Sequence, residues 1–291
     1  VSAALNFTVV LNTYQRPALL SRALAHYAAC GPQVSAVRVV WSEQRPTPQR
    51  AEPSDARFFL LDSASQSRDY MPSVSYDTHP TSSINNRFAP LKGLSSDAVF
   101  SVDDDMAVPC NALLDAFAAW RAAPHALVGF YPRLHERSSP AGCAAASYRY
   151  VSAEPALLLR RRYSLVLTKA AFLHASYLDM YTRAMPPGIR DYIASRRECE
   201  DIAMAFLVAN ATRAGHARGR MPSVWVRPPL SFWVGAKLDG IGRKGLSAGQ
   251  VSNHHAMRGA CVAHFASFYD GRVPLVTQPL RDTALRAPPD A

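Results

Sequence analysis

Two hydrophobic periods alternate along the first half of the chain. "FTVVLN", from Phe7 to Asn12, is a nearly continuous apolar run and predicts a strand buried on both faces. "TYQRPALLSRALAHYAACG" then changes to helical spacing, with Thr13 and Pro17 as start signals and Gly31 as the stop. "VSAVRVVWSE" predicts a second strand, "RFFLLDSAS" a third and "DAVFSVDDD" a fourth. Continuous apolar strands, the first two separated by a helix, predict a parallel sheet covered on both faces, in a doubly wound α/β architecture. Further on, Leu113, Leu114, Phe117 and Trp120 mark a helix, and "ALVGFYPRLH" returns to a strand. The Ser-, Ala- and Arg-rich stretch from Glu136 to Arg162 reads as an irregular insertion. After "YSLVLTKAAFLH" come helical pieces, notably "CEDIAMAFLVANAT", then a strand at "SVWVRP". The Gly-rich segment from Gly235 to Gly249 reads as a loop over a pocket, and the final "RAPPDA" as frayed.

Ligands of such sheets gather at the carboxyl ends of the strands. Three predicted loops there carry unusual polar residues: Thr13 to Arg16, Ser42 with Glu43, and Asp103 to Asp105. In an extended strand Asp103 and Asp105 point to one side and Asp104 to the other. Three adjacent carboxylates repel one another, so either water solvates an acidic turn or a cation sits among them. Oxygen ligands of this kind suit Mg²⁺ or Mn²⁺, and such an ion with open positions suits a diphosphate. Arg16 and Arg87 flank the acidic strand and are candidate phosphate or base contacts, and Tyr14 can stack on a base or lie in the core.

A second acidic pair, Glu200 and Asp201, opens a helix, where carboxylates also complement the helix dipole. In "HHAMRGAC" the adjacent His254 and His255 lack an acidic partner at ligand spacing and read as a polar loop. Arg258 is a candidate cation for a departing nucleotide.

At 291 residues and 48% hydrophobic content, the chain buries a large core, as one α/β unit or two fused halves. Its net charge of +10 is spread along the whole length, and only four of its 32 basic residues are lysine. A nucleic-acid partner is therefore not expected, although a diffuse positive field favours anionic ligands. Five cysteines without C-x-x-C spacing suggest no zinc site and allow at most two bridges. Sequons at Asn6 and Asn210 hint at a secretory lumen. No apolar run is long enough to span a bilayer, so any signal or anchor is expected outside this segment. Neither a G-x-S-x-G elbow nor a Walker loop occurs.

"TVVLNTYQRPALL", "VVWSE", "INNRFAPLKGLSSDAVFSVDDDM", "LVGFYPRLH", "YSLVLTKAAFLH", "CEDIAMAFLVAN" and "MRGAC", in this order from Phe7 to Phe268, resemble the exostosin-like domain of glycosyltransferase family 64. The wording is closer to the plant and algal branch. The resemblance implies a single GT-A domain over 1–291, with a nucleotide-sugar half (1–130) and an acceptor half (131–291). It implies a Mn²⁺-dependent retaining transferase, with Mg²⁺ as the other candidate ion. A hexose or N-acetylhexosamine would pass from a UDP- or GDP-sugar to a glycan or glycolipid acceptor, inositol phosphoryl ceramide among them. Carried over by position, Asp105 is the metal ligand, and Asp103 and Asp104 contact ribose and sugar. Arg16, Asn86 and Arg87 match donor-binding positions, Asp201 the active-site aspartate and Arg258 an arginine near the diphosphate. Cys199 and Cys261 match a disulfide. A membrane-anchored glycoprotein of the Golgi or endoplasmic reticulum lumen is the implied setting. Ser42 and Glu43 follow Trp41 where animal relatives carry Asn, and "LLLRRR" precedes Tyr163 where a small acceptor motif is expected. The alternatives are a metal-dependent nucleotidyltransferase and an inactive sugar- or lipid-binding module.

Overall fold

The computed structural model describes residues 5–48, 71–139, 146–152, 157, 159–214, 220–228 and 251–280. Its strands, in chain order, are β1 (Phe7–Thr13), β2 (Val34–Trp41), β3 (Ser73–Thr78), β4 (Ala98–Asp103), β5 (Leu127–Gly129), β6 (Pro132–Arg137), β7 (Tyr148–Val151), β8 (Arg162–Tyr163), β9 (Leu165–Val166), β10 (Ala170–His174), β11 (Ser223–Trp225) and β12 (Gln278–Pro279). Seven of them make the central sheet, in the order β11-β5-β10-β4-β1-β2-β3. All its neighbours pair in parallel except β10, which runs antiparallel to both β4 and β5. A second sheet, β7-β6-β9, and a ribbon of β8 with β12 stand beside it. The helices are α1 (Pro17–Ala28), α2 (Cys110–Ala122), α3 (Ser176–Arg183), α4 (Pro187–Arg196), α5 (Glu200–Ala214) and α6 (Val251–Ser267), with a 3-10 turn at Ile84–Phe88. This is the expected mixed α/β, GT-A-like architecture.

The buried runs of β1, β4 and β10 meet α2 in a cluster of rings. Phe7 lies 4.8 Å from Phe117 and 5.0 Å from Phe172, and Phe100 lies 4.8 Å from Phe172. All four are buried, each contributing about 2–3 kcal/mol. Their packing fixes β4 between β1 and β10, and so fixes where the acidic triplet emerges.

Two expectations change, and others fall outside the described residues. The third apolar run, 57–65, lies outside the described residues; the strand paired with β2 at the sheet edge is Ser73–Thr78. No residue of that edge strand is buried, so no apolar run announced it. The supposed irregular stretch begins with the last residues of β6 and contains β7, which pairs with it from Leu134↔Val151 to Arg137↔Tyr148. His254 and His255 lie on α6 and not in a loop. Gly235 to Gly249 and the last eleven residues lie outside the described residues. Among the described residues no helix is long and apolar enough to cross a membrane.

Two disulfides are present. Cys199–Cys261 is the pair the family resemblance implied, whereas Cys30–Cys110, across 80 residues, was one of several open pairings. Cys30 follows α1 just before Gly31, whose φ of +99° turns the chain toward β2, and Cys110 opens α2. Closing so long a loop stabilises by about 3–5 kcal/mol through the unfolded chain. The double variant Cys30→Ser/Cys110→Ser should lose that much in denaturant titration; an unchanged midpoint would remove this bond from the stabilising set.

Candidate active site

The parallel register Asn12↔Asp103 brings the carboxyl ends of β1 and β4 side by side. Asp103 closes β4 and donates its N–H to the Lys169 carbonyl (3.1 Å), while the Asp104 N–H reaches the Asn12 carbonyl (3.1 Å). Alternation then divides the triplet. Asp103 and Asp105 line a cleft of about 580 Å³, and Asp104 turns inward to Thr13 Oγ1 (2.6 Å). Arg16 bridges the turn, with one nitrogen 2.5 Å from Asp104 Oδ1 and the other 3.1 Å from Asp105 Oδ2. Burial pushes the Asp104 carboxyl up to about 7, against the pull of Thr13 and Arg16. Burial likewise opposes the charge on Arg16, but Asp104 and Asp105 outweigh it and raise its pKa. Glu43 shapes the same loop: it accepts from the N–H of Gln15 (2.7 Å), a residue held at φ +56°.

Arg87 is buried and faces the cleft with its charge already engaged. It pairs with Asp103 Oδ1 at 2.8 Å and Glu200 Oε1 at 3.4 Å, and donates to the Thr168 carbonyl and Ser101. This joins the end of β4 to the start of α5. Asn86 does not line the cleft; its amide donates to Ser42 Oγ (3.0 Å) and the Thr81 carbonyl (2.7 Å), beside the end of β2.

The opposite wall comes from α5 and α6. Asp201 Oδ1 accepts from the Ile202 N–H (2.8 Å), and Oδ2 forms a buried ion pair with Arg258 Nη2. Glu198 Oε1 stands 2.7 Å from His254 Nε2 and 3.8 Å from Arg258 Nη1. Burial would raise the Asp201 carboxyl, but the charge and hydrogen bond of Arg258 hold it below the usual range. Its neighbour Glu200 has only the longer 3.4 Å contact with Arg87, and burial followed by the Asp201 charge pushes it up to about 7. The segment feeding α5 is conformationally costly: Arg197 and Cys199 sit at φ +55° and +76°, about 1–3 kcal/mol each for non-glycine residues. The Cys199–Cys261 bond holds this segment against α6. At Gly259 a Cβ would fall 2.2 Å from the Tyr148 carbonyl, so only glycine lets α6 approach β7. That approach sets the Arg258 guanidinium 5.1 Å over the Tyr150 ring.

The cleft thus unites Arg16, Arg87, Asp103, Asp105, Asp201 and Arg258, and leaves Asp104 and Asn86 outside its lining. Sequence reading missed Arg133, Tyr150, Lys169 and Glu198, which also line it. Tyr150 lay in the stretch read as irregular, and Lys169 and Arg133 belong to apolar strand sequences with no local signature.

Among the described residues only His26, Cys30 and Cys110 bring three potential ligand atoms within 4.8 Å of one another, and the disulfide takes two of them. The acidic triplet is therefore no all-protein cage. It fits the other style of hard-cation site, in which one or two carboxylates are completed by water and substrate phosphates. The Asp105 side chain, 39% exposed, and Asp103 beside it offer oxygen donors to the cleft.

Carboxylates at the end of a parallel strand face a buried Asp–Arg pair across one cleft, and the match to a family model makes the chain a glycosyltransferase. The model of the Glycosyl transferase family 64 domain matches residues 7–285, and the chain belongs to that family. It is 37% identical to glycosylinositol phosphorylceramide mannosyl transferase 1 of Arabidopsis thaliana, over 93% of this chain and 74% of the relative. It is 30% identical to glucosamine inositolphosphorylceramide transferase 1 of the same plant, over 92% of this chain but only 30% of that protein. Exostosin-like 2 of Mus musculus is 28% identical over 93% of this chain and 74% of its own length.

Proposed function

We propose that this glycosyltransferase passes a hexose or N-acetylhexosamine from a UDP- or GDP-sugar to a glycolipid bearing an inositol phosphate, with retention of anomeric configuration. The observation that carries this reading is the meeting of Asp105 with the Asp201–Arg258 pair in one cleft at the carboxyl edge of the sheet. The names of the two plant relatives support the acceptor class. Residues 1–130 supply the donor end and 131–291 the acceptor end.

Asp105, assisted by Asp103, is the proposed holder of Mn²⁺ or Mg²⁺, which when bound neutralises the diphosphate of the donor. Arg16, anchored by Asp104, adds a fixed positive charge beside it. Asp103 faces the cleft for contact with ribose or sugar, while Asp104 acts through Arg16. Arg87 holds Asp103 and α5 in place, and Asn86 borders the end of β2 where a base would lie. Arg258 stabilises negative charge on the departing phosphate, and Asp201 orients the acceptor hydroxyl or stabilises positive charge on the sugar. The acceptor then attacks from the face the phosphate leaves. Two disulfides and an exposed Asn210 in its sequon favour the lumen of the Golgi or endoplasmic reticulum.

A thermal-shift panel of UDP- and GDP-sugars tests the reading. With Mn²⁺, one donor at a hundred times its Kd should add about 2.7 kcal/mol, or about 5 °C in Tm, and chelation should abolish the shift. A panel without any metal-dependent shift would count decisively against it.

A further inference from the structure

Lys169 and Arg133 line the same cleft, and neither role proposed above uses them. Each of the other cations discussed there has a carboxylate: Arg16 has Asp104 and Asp105, Arg87 has Asp103 and Glu200, and Arg258 has Asp201. Among the described residues Lys169 and Arg133 have no ion-pair partner. They instead share the ring of Tyr131, with Lys169 Nζ 3.7 Å and the Arg133 guanidinium carbon 6.0 Å from its centroid. Arg133 is further oriented by donating to the Pro132 carbonyl (2.8 Å). Burial, and then the Arg133 charge, lower the Lys169 pKa to about 8, against the pull of the Asp103, Asp105 and Asp201 carboxylates. A cation on an aromatic face gains about 0.5–2 kcal/mol, but two like charges converging in a cleft repel. An incoming anion reverses that repulsion, because charge-assisted hydrogen bonds to phosphate are among the strongest available.

We propose that Lys169 and Arg133 form a second anion subsite, which holds a phosphoryl group over the Tyr131 ring next to the acidic end of β4. Arg133 belongs to β6 and Lys169 immediately precedes β10, both within the segment 131–291 proposed above to supply the acceptor end. The phosphodiester of an inositol-phosphate acceptor is the ligand this position favours, with the donor diphosphate as the other source of the same chemistry. Only the source of the phosphoryl group rests on the transferase reading; anion binding by the pair does not.

Isothermal titration of the intact protein distinguishes the cases. The probes are myo-inositol 1-phosphate, uncharged myo-inositol, and UDP with Mn²⁺. The variants are Lys169→Met, which keeps the aliphatic stem on Tyr131, Arg133→Gln, and Lys169→Arg, which keeps the charge. Melting curves check that each is folded. The expected result is that inositol phosphate binds and inositol does not, that Met and Gln weaken phosphate binding at least tenfold, that Arg largely restores it, and that UDP affinity stays within about threefold. A tenfold loss confined to UDP would keep the anion subsite and assign it to the donor. The subsite is overturned if folded Met and Gln variants bind both phosphorylated probes as the wild type does, or if the wild type fails to distinguish inositol phosphate from inositol. Failure of UDP binding in the wild type, with inositol phosphate still bound through Lys169, would instead refute the donor reading and leave the subsite standing.

Discussion

Asp201→Asn is expected to keep donor binding within about threefold and to lose roughly a hundred- to a thousandfold in turnover. Asparagine fills the same space and can still accept the Ile202 N–H, so the helix start survives. The lost quantity is the negative charge beside Arg258, which in the proposed reaction also faces the sugar. Catalytic groups aimed at developing charge in a water-poor site carry effects of that size. Removing one member of a buried pair usually costs about 3–5 kcal/mol in stability, because the survivor is left uncompensated. Here Glu198 stands 3.8 Å from Arg258, and the Glu200 charge also acts on it, so the cost should fall at the low end of that range. Single-turnover rates with saturating donor, read alongside a melting curve, separate chemistry from folding. An Asn variant turning over at the wild-type rate would take Asp201 out of the mechanism.

Asp105→Ala should have the second large effect, on the metal-dependent part of donor affinity. Groups that merely support a ligand cost about 10–100-fold in metal affinity, so loss of the proposed ligand itself should cost at least about a hundredfold. Stability should barely change, since the side chain is 39% exposed and Arg16 retains Asp104 as its closer partner. Titration of UDP with and without Mn²⁺ would show it: the metal increment should vanish while weak metal-free binding persists. Full Mn²⁺-dependent affinity in this variant would move the metal elsewhere in the cleft.

The site was legible where side-chain direction follows from the backbone period. The alternation that sends Asp103 and Asp105 one way and Asp104 the other needs nothing beyond strand geometry, and the structure repeats it. The helix at Glu200 was equally plain from its apolar period. What the local pattern could not carry is what depends on long-range pairing. β3 is polar because it is an edge strand, and β10 is antiparallel because of how the chain returns, which no window of sequence encodes. Lys169 is one basic residue in an apolar run, and it becomes notable only when β10 sets it beside Asp103 and over Tyr131. The double histidine reads as a loop for want of an acidic partner at ligand spacing, whereas it lies on α6, where Glu198, distant in sequence, meets His254 and the helix packs on β7.

The Cys199–Cys261 bond has a consequence for the chain between its ends. Asp201 and Arg258 sit on different helices, yet their encounter is secured covalently two and three positions away, by a bond between cysteines 62 residues apart. The sequence between the two helices is thereby relieved of the task of holding the pair together. It can lengthen, shorten or change in character while the Asp201–Arg258 ion pair stays where it is.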